Sequence, residues 1–183
     1  MRARKREVVL ETPRFDVIRE VTFCQGKPTE HWYIEKPDAV LVILHNGGDV
    51  CMLKAARDGI EGVSYELPGG RIDEGESALD AARRELLEET GLTGTSWSLL
   101  GTTKPLPSVT AETVHIFAAE YHGQIAQPDL DAGEDIREVA FHSPGALRAL
   151  FRRQEIACSV DAYALVLFLE TQADGGSDNG ARD

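Results

Sequence analysis

The chain has 183 residues, 42% of them hydrophobic, which suffices for one sizeable core and argues against a second full domain. Its formal net charge of −12 argues against broad contact with a phosphate backbone, because nucleic-acid binders usually display a basic surface. No apolar run approaches the roughly 20 residues that span a bilayer, and no signal-peptide core opens the chain, so a soluble protein with no membrane partner is expected.

In chain order, MRARKR is a short basic lead that reads as a solvated arm. Phe15 to Cys24 and His31 to Ile34 alternate as strands around a turn near Gly26-Lys27-Pro28. Val40 to Leu44 is a candidate buried strand. Val50 to Leu53 follows the Asn46-Gly47-Gly48 turn as the second arm of a hairpin, which leads toward Tyr65-Glu66-Leu67. Ser77 to Thr90 has no Gly or Pro and repeats Ala78, Leu79, Ala82 and Leu86 on one face, which predicts a helix. Ser77 with Asp80 resembles a capping box, and Gly91 stands where a left-handed cap wants no Cβ.

Further on, Thr113 to Glu120 places Val114, Ile116 and Ala118 on one side of a strand. Pro144 to Arg152 and Cys158 to Glu170 read as helices, the second with a stripe of Ala162, Leu165, Val166 and Leu169. The end, ADGGSDNGARD, reads as a flexible tail. This divides the chain into an N-terminal β arm or subdomain over 1–38, a main domain over 39–171 and a tail over 172–183. Cys24, Cys51 and Cys158 are odd in number and far apart, which suggests no disulfide framework or zinc ribbon and fits a reducing cytoplasm. His31, His45, His115, His122 and His142 lack ligand spacing.

The predicted helix carries a local conflict. Glu85, Glu88 and Glu89 stand at i, i+3 and i+4, where like charges cost roughly 0.2–0.5 kcal/mol per pair. Glu88 and Glu89 also occupy the last turn, where the helix dipole disfavours anions by ~0.3–1 kcal/mol. A divalent cation with oxygen ligands turns that repulsion into binding.

The segment Gly70 to Leu92 matches Gly-x5-Glu-x7-Arg-Glu-U-x-Glu-Glu-x-Gly-U, with U aliphatic, through Gly70, Glu76, Arg84, Glu85, Leu86, Glu88, Glu89, Gly91 and Leu92. This is the Nudix box, and the chain resembles the Nudix hydrolases. The resemblance implies an α/β fold, an α/β/α sandwich with a mixed sheet, here preceded by the small N-terminal β subdomain. It also implies hydrolysis of a nucleoside diphosphate linked to another moiety, with Mg²⁺, or Mn²⁺ in its place. Glu85 and Glu89 are then direct metal ligands, Glu88 a ligand, water holder or proton acceptor, and the carbonyl of Gly69 a further ligand. Glu76 and Arg84 lie eight residues apart, about two helical turns, so Arg84 can reach back and fix the loop. Gly70 and Glu76 are read as structural.

Beyond the box the chain resembles the ADP-ribose pyrophosphatase, or nucleotide-sugar pyrophosphatase, branch. Strand-rich sequence precedes the box, as where such strands are exchanged between two subunits, which implies a homodimer. Pro107 lies fifteen residues after Leu92, and Glu112 follows before an alternating strand. GEDIREVAF at 133–141, with a helix, a short turn at Gln154 to Ile156 and a terminal helix after it, is similar to that branch's catalytic loop and C-terminal end. The resemblance makes ADP-ribose or a related nucleotide sugar the substrate, with Arg57, Pro107 and Glu112 as substrate-binding positions. Ala55 and Ala56 replace the residues that usually precede Arg57, which keeps GDP-mannose in view. Coenzyme A derivatives and a non-catalytic nucleotide-binding module are the other readings. Glu134 and Glu88 are the two candidates for the catalytic base, and Glu134 can equally be a metal contact.

Overall fold

A computed structural model describes residues 4–57, 59–130 and 133–175. The chain begins with a meander of three antiparallel strands, β1 (Arg4–Glu11), β2 (Asp16–Cys24) and β3 (Lys27–Glu35), in the order β1-β2-β3. Part of the basic lead is therefore strand, not a solvated arm. Arg6 pairs with Glu35, and Arg4 with Glu20 at 3.5 Å, so cross-strand acids hold the basic residues in register. Gln25 and Gly26, with φ of 51° and 77°, make the two-residue hairpin turn. Pro28 lies inside β3, an edge strand, where a missing N–H is tolerated. Ile18 is fully buried within its own chain, while Val8, Val9, Leu10, Phe23 and Trp32 are exposed.

The second sheet contains β4 (Ala39–Asn46), β5 (Asp49–Ala56), β6 (Val63–Glu66), β7 (Leu92–Thr103), β8 (Val114–Gln124) and β9 (Asp135–His142). Its order is β6-β5-β4-β8-β7, with β9 antiparallel to β5, and β4 runs parallel to β8. Helix α1 (Ala78–Thr90) covers one face; α2 (Pro144–Arg152) and α3 (Ser159–Gly175) cover the other. Strand alternation divides the core accordingly. Val40, Val42 and Leu44 pack with Ala81, Ala82 and Leu86 of α1, whereas Ile43 packs with Leu147, Leu165 and Phe168 of α2 and α3. The result is the expected α/β/α sandwich around a mixed sheet.

Two strands depart from simple patterning. β7 has register shifts near Thr93, Thr95 and Leu99, so its side chains do not keep a period of two. β9 also shifts against β5 at Lys54. The apolar stripe expected on α3 is displaced: Ala164, Leu165 and Phe168 are buried, whereas Val166 is exposed. The helix is apolar nearly all round, so periodicity alone gives its facing poorly. Among the described residues, no helix is long and apolar enough to cross a membrane.

Candidate functional site

Helix α1 is fixed at both ends as its sequence predicts. Ser77 Oγ accepts the N–H of Asp80 at 3.1 Å, and Gly91, with φ of 69°, donates its N–H to the Leu87 carbonyl at 2.8 Å. The face that buries Ala81, Ala82 and Leu86 is continued by Glu85 and Glu89, both of them buried. One carboxylate oxygen each from Glu85, Glu89 and Glu134 lies within 4.8 Å of the others, with Glu134 arriving from just before β9. The sequence pattern puts two of these on one helix, and the sheet brings the third.

Burial, with Glu134 and Glu85 adding like charge, pushes the Glu89 carboxyl up to about 8 despite the N–H that Gly69 donates to its Oε2 at 2.8 Å. Burial likewise raises Glu85, against the pull of Arg84. Three clustered carboxylates with two of them held above their usual range form a site that a cation relieves. All-oxygen donors fit Mg²⁺ or Mn²⁺. Glu85 and Glu89 are the residues that would hold it from α1, and Glu134 stands close enough to contact it or to take a proton beside it.

The glycines make room for this arrangement. A Cβ at Gly69 would collide with the Val40 carbonyl oxygen, and one at Gly70 with the Glu85 carboxylate. Gly69 is needed for close approach to backbone rather than for a left-handed turn, while a side chain at Gly70 would push the Glu85 carboxylate out of its place. The loop is further fixed by Val40 and Val42, whose N–H groups donate to the carbonyls of Gly70 and Pro68, each at 2.8 Å.

Arg84 makes the expected fork to Glu76, with Nε and Nη2 each donating to one carboxylate oxygen at 3.0 Å. It does more than the spacing suggests. Nη1 also donates to Glu85 at 2.8 Å and Glu88 at 3.1 Å, and Nη2 to the Arg71 carbonyl at 3.0 Å. The guanidinium thus ties loop, helix and one clustered carboxylate together. Glu88 stands outside the three-carboxylate cluster, held by Arg84.

Arg57 is half-buried, with its Nε and Nη2 both 2.9 Å from Glu66 Oε2. Its charge reaches the cluster, since it acts to lower Glu89. Glu112 is buried and paired with Lys36 Nζ at 2.8 Å. Pro107 is exposed in a turn where the Leu106 carbonyl accepts the N–H groups of Val109 and Thr110, each at 2.8 Å. That loop is stitched to the end of β3 by Ile34 N–H to Val109 at 2.7 Å and Ala111 N–H to Ile34 at 2.9 Å. Among the described residues, neither Pro107 nor Glu112 joins the carboxylate cluster.

Two residues do not stand out in the sequence. Glu66 engages Arg57, and Asp161 of α3 accepts the N–H of Leu67 at 2.6 Å. The one visible signal for Asp161 is a lone acid inside an otherwise apolar helical run.

The sandwich with its glycine loop and acidic helix defines a Nudix fold. The NUDIX domain family matches residues 35–161, and the chain belongs to that family. It resembles the ADP-ribose pyrophosphatase of Bacillus subtilis (strain 168), with 29% identity over 150 residues that cover 81% of this chain and 80% of that protein. An RNA pyrophosphohydrolase of Caulobacter vibrioides (strain NA1000 / CB15N) is 34% identical over 117 residues, 55% of this chain and 66% of that one. The crystal structure of an ADP compounds hydrolase matches with a TM-score of 0.81 over 96% of both chains. At 20% identity, that likeness shows the fold alone.

Proposed function

We propose that the protein is a Mg²⁺-dependent Nudix hydrolase that cleaves the pyrophosphate of ADP-ribose or a related nucleotide sugar, giving a nucleoside monophosphate and a sugar phosphate. The observation that carries this reading is the cluster of Glu85, Glu89 and Glu134 at the box helix. The extended similarity to an ADP-ribose pyrophosphatase supports the substrate class.

A divalent cation bound here supplies charge neutralisation at nonbridging phosphate oxygens and a lower pKa for the attacking water. Glu85 and Glu89 would hold it from α1, with the Gly69 carbonyl as the added loop ligand. Glu134 takes the proton from the water whose oxygen attacks phosphorus, while the anhydride P–O bond breaks and its electrons leave with the departing phosphate. Arg57 meets phosphate charge, oriented by Glu66. Pro107 and Glu112 shape the substrate side of the loop. Arg84 and Glu76 keep the loop and helix in register.

The assembly is proposed to be a homodimer formed through the N-terminal subdomain. Exposed Val8, Val9, Leu10 and Trp32 support a partner surface there. No nucleic-acid partner is proposed, on the strength of the −12 charge. The cytoplasmic placement rests on the odd, widely spaced cysteines.

Product analysis across ADP-ribose, GDP-mannose, coenzyme A and other nucleoside diphosphate derivatives, each with Mg²⁺ and with excess EDTA, tests the reading. Nucleoside monophosphate and sugar phosphate released only with metal are expected. Turnover of coenzyme A alone would move the substrate class, and no turnover of any compound would leave a binding module.

A further inference from the structure

The four residues that precede and open the box are anchored one after another. Leu67 N–H donates to Asp161, Pro68 O accepts from Val42, Gly69 N–H donates to Glu89, and Gly70 O accepts from Val40. Three of these partners belong to the sheet and helix that form the site. The fourth, Asp161, comes from α3 on the opposite face, 94 residues away in sequence.

Asp161 is an expensive residue to place there. It is 4% exposed, in the first turn of a helix otherwise used to bury Ala164, Leu165 and Phe168. Leu67 is also buried, so its N–H has no access to solvent as a substitute partner. A first-turn acid can serve its own helix dipole, but that role does not require a bond to a distant backbone amide. The chain leading into α3 follows the same edge of β6: Tyr65 N–H donates to the Glu155 carbonyl at 2.8 Å, and Ala157 N–H to Ser64 Oγ at 3.0 Å. Asp161 is the last contact of this seam and the one that touches the loop.

We propose that Asp161 is a positioning residue for the candidate metal centre: by accepting the Leu67 N–H it fixes the Leu67–Gly70 loop, and through it the Gly69 contacts on which Glu89 and the bound cation depend. This rests on the reading of Glu85, Glu89 and Glu134 as a divalent-cation site. It assigns the C-terminal helix a role in metal affinity, although among the described residues none from that helix belongs to the carboxylate cluster.

The test is calorimetric titration of Mn²⁺ into the full chain, with thermal midpoints measured in parallel. Asp161→Ala is expected to weaken Mn²⁺ binding by about tenfold or more, the size seen when outer supports of metal ligands are removed. Asp161→Asn keeps an acceptor oxygen and should stay within about threefold of wild type on the same ground. Ser64→Ala loosens the same seam without touching Leu67, so it should lower the thermal midpoint and leave Mn²⁺ affinity unchanged. If Asp161→Ala does not fold, Asp161→Ser replaces it, with an oxygen one bond short of the carboxylate. Wild-type affinity in the Ala or Ser variant, an Asn variant as weak as Ala, or equal weakening in Ser64→Ala would overturn the proposal while leaving the metal site standing. A wild-type protein that binds no Mn²⁺ would overturn the site reading together with it.

Discussion

The backbone N–H of Gly69 donates to Oε2 of Glu89 across 2.8 Å, joining the loop before the box to the last turn of its helix. The bond sets the orientation of a carboxylate that is 1% exposed. One N–H stabilises the charged form, yet burial and the neighbouring acids outweigh it and leave Glu89 pushed up to about 8. The chain therefore places an acid where, without a cation, a proton is the nearest substitute.

Glu85→Gln and Glu89→Gln should each remove most turnover and most Mn²⁺ binding while the far-ultraviolet circular dichroism stays native, because each deletes a proposed charged oxygen ligand. Excess EDTA should abolish wild-type hydrolysis. Unchanged hydrolysis in EDTA would disprove the metal requirement.

The raised Glu89 pKa predicts the pH dependence of the metal-free protein. In the unfolded chain this group loses its proton near 4.5, whereas folded protein keeps it to about 8. Its contribution is fully favourable below the lower value, is lost as pH rises between the two, and is least favourable above 8. Burial raises Asp161 and Glu85 as well, and they act with the same sign. Thermal midpoints in EDTA from pH 5 to 9 should therefore fall more steeply for wild type than for Glu89→Gln. Since a cation competes with that proton, the gain in midpoint from Mg²⁺ should grow over the same range. Parallel curves for the two proteins would contradict the assignment of Glu89.

The box and its helix are legible in the sequence because local chemistry and spacing coincide there: Ser77 and Gly91 bound the helix, and Glu85 and Glu89 share its face. Strands β7 and β9 carry no clean strand signal, since register shifts in both blur the period of two. The facing of α3 escapes the pattern because its apolar residues surround the helix. Asp161 has no legible role, since its partner is a backbone N–H 94 residues away and leaves no mark in side-chain pattern. Glu134 is reached only through family resemblance, as no spacing rule links a loop before β9 to α1.

Arg84→Lys should lower kcat by about 10–100-fold, because a lysine keeps the charge but cannot serve Glu76, Glu85 and Glu88 together. Glu76→Gln should be milder, since it keeps one of the two oxygens that accept from Arg84 and lies outside the carboxylate cluster. Steady-state kinetics at saturating Mg²⁺ separate the two. A larger loss in Glu76→Gln than in Arg84→Lys would reverse the assignment.

The proposed dimer predicts that light scattering gives twice the chain mass. Deleting 1–38 should produce aggregation or unfolding, because it removes fully buried Ile18 and the β3 end that stitches Val109 and Ala111. Light scattering of the full chain at a single chain mass would refute the assembly, and a soluble, fully active monomer from the truncation would refute the need for the subdomain.

The base is decided by comparing Glu134 with Glu88. Glu134 sits in the carboxylate cluster, whereas Glu88 is held by Arg84 Nη1 at 3.1 Å and lies outside it. If Glu134 removes the proton from the attacking water, Glu134→Gln should lower kcat by about 10²–10⁴ with little change in KM. Excess Mg²⁺ should restore little of that loss, whereas substantial recovery would make Glu134 chiefly a metal contact. Glu88→Gln should cost less, since it weakens one of several contacts to Arg84. A wild-type rate for Glu134→Gln beside a large loss for Glu88→Gln would move the base to the helix.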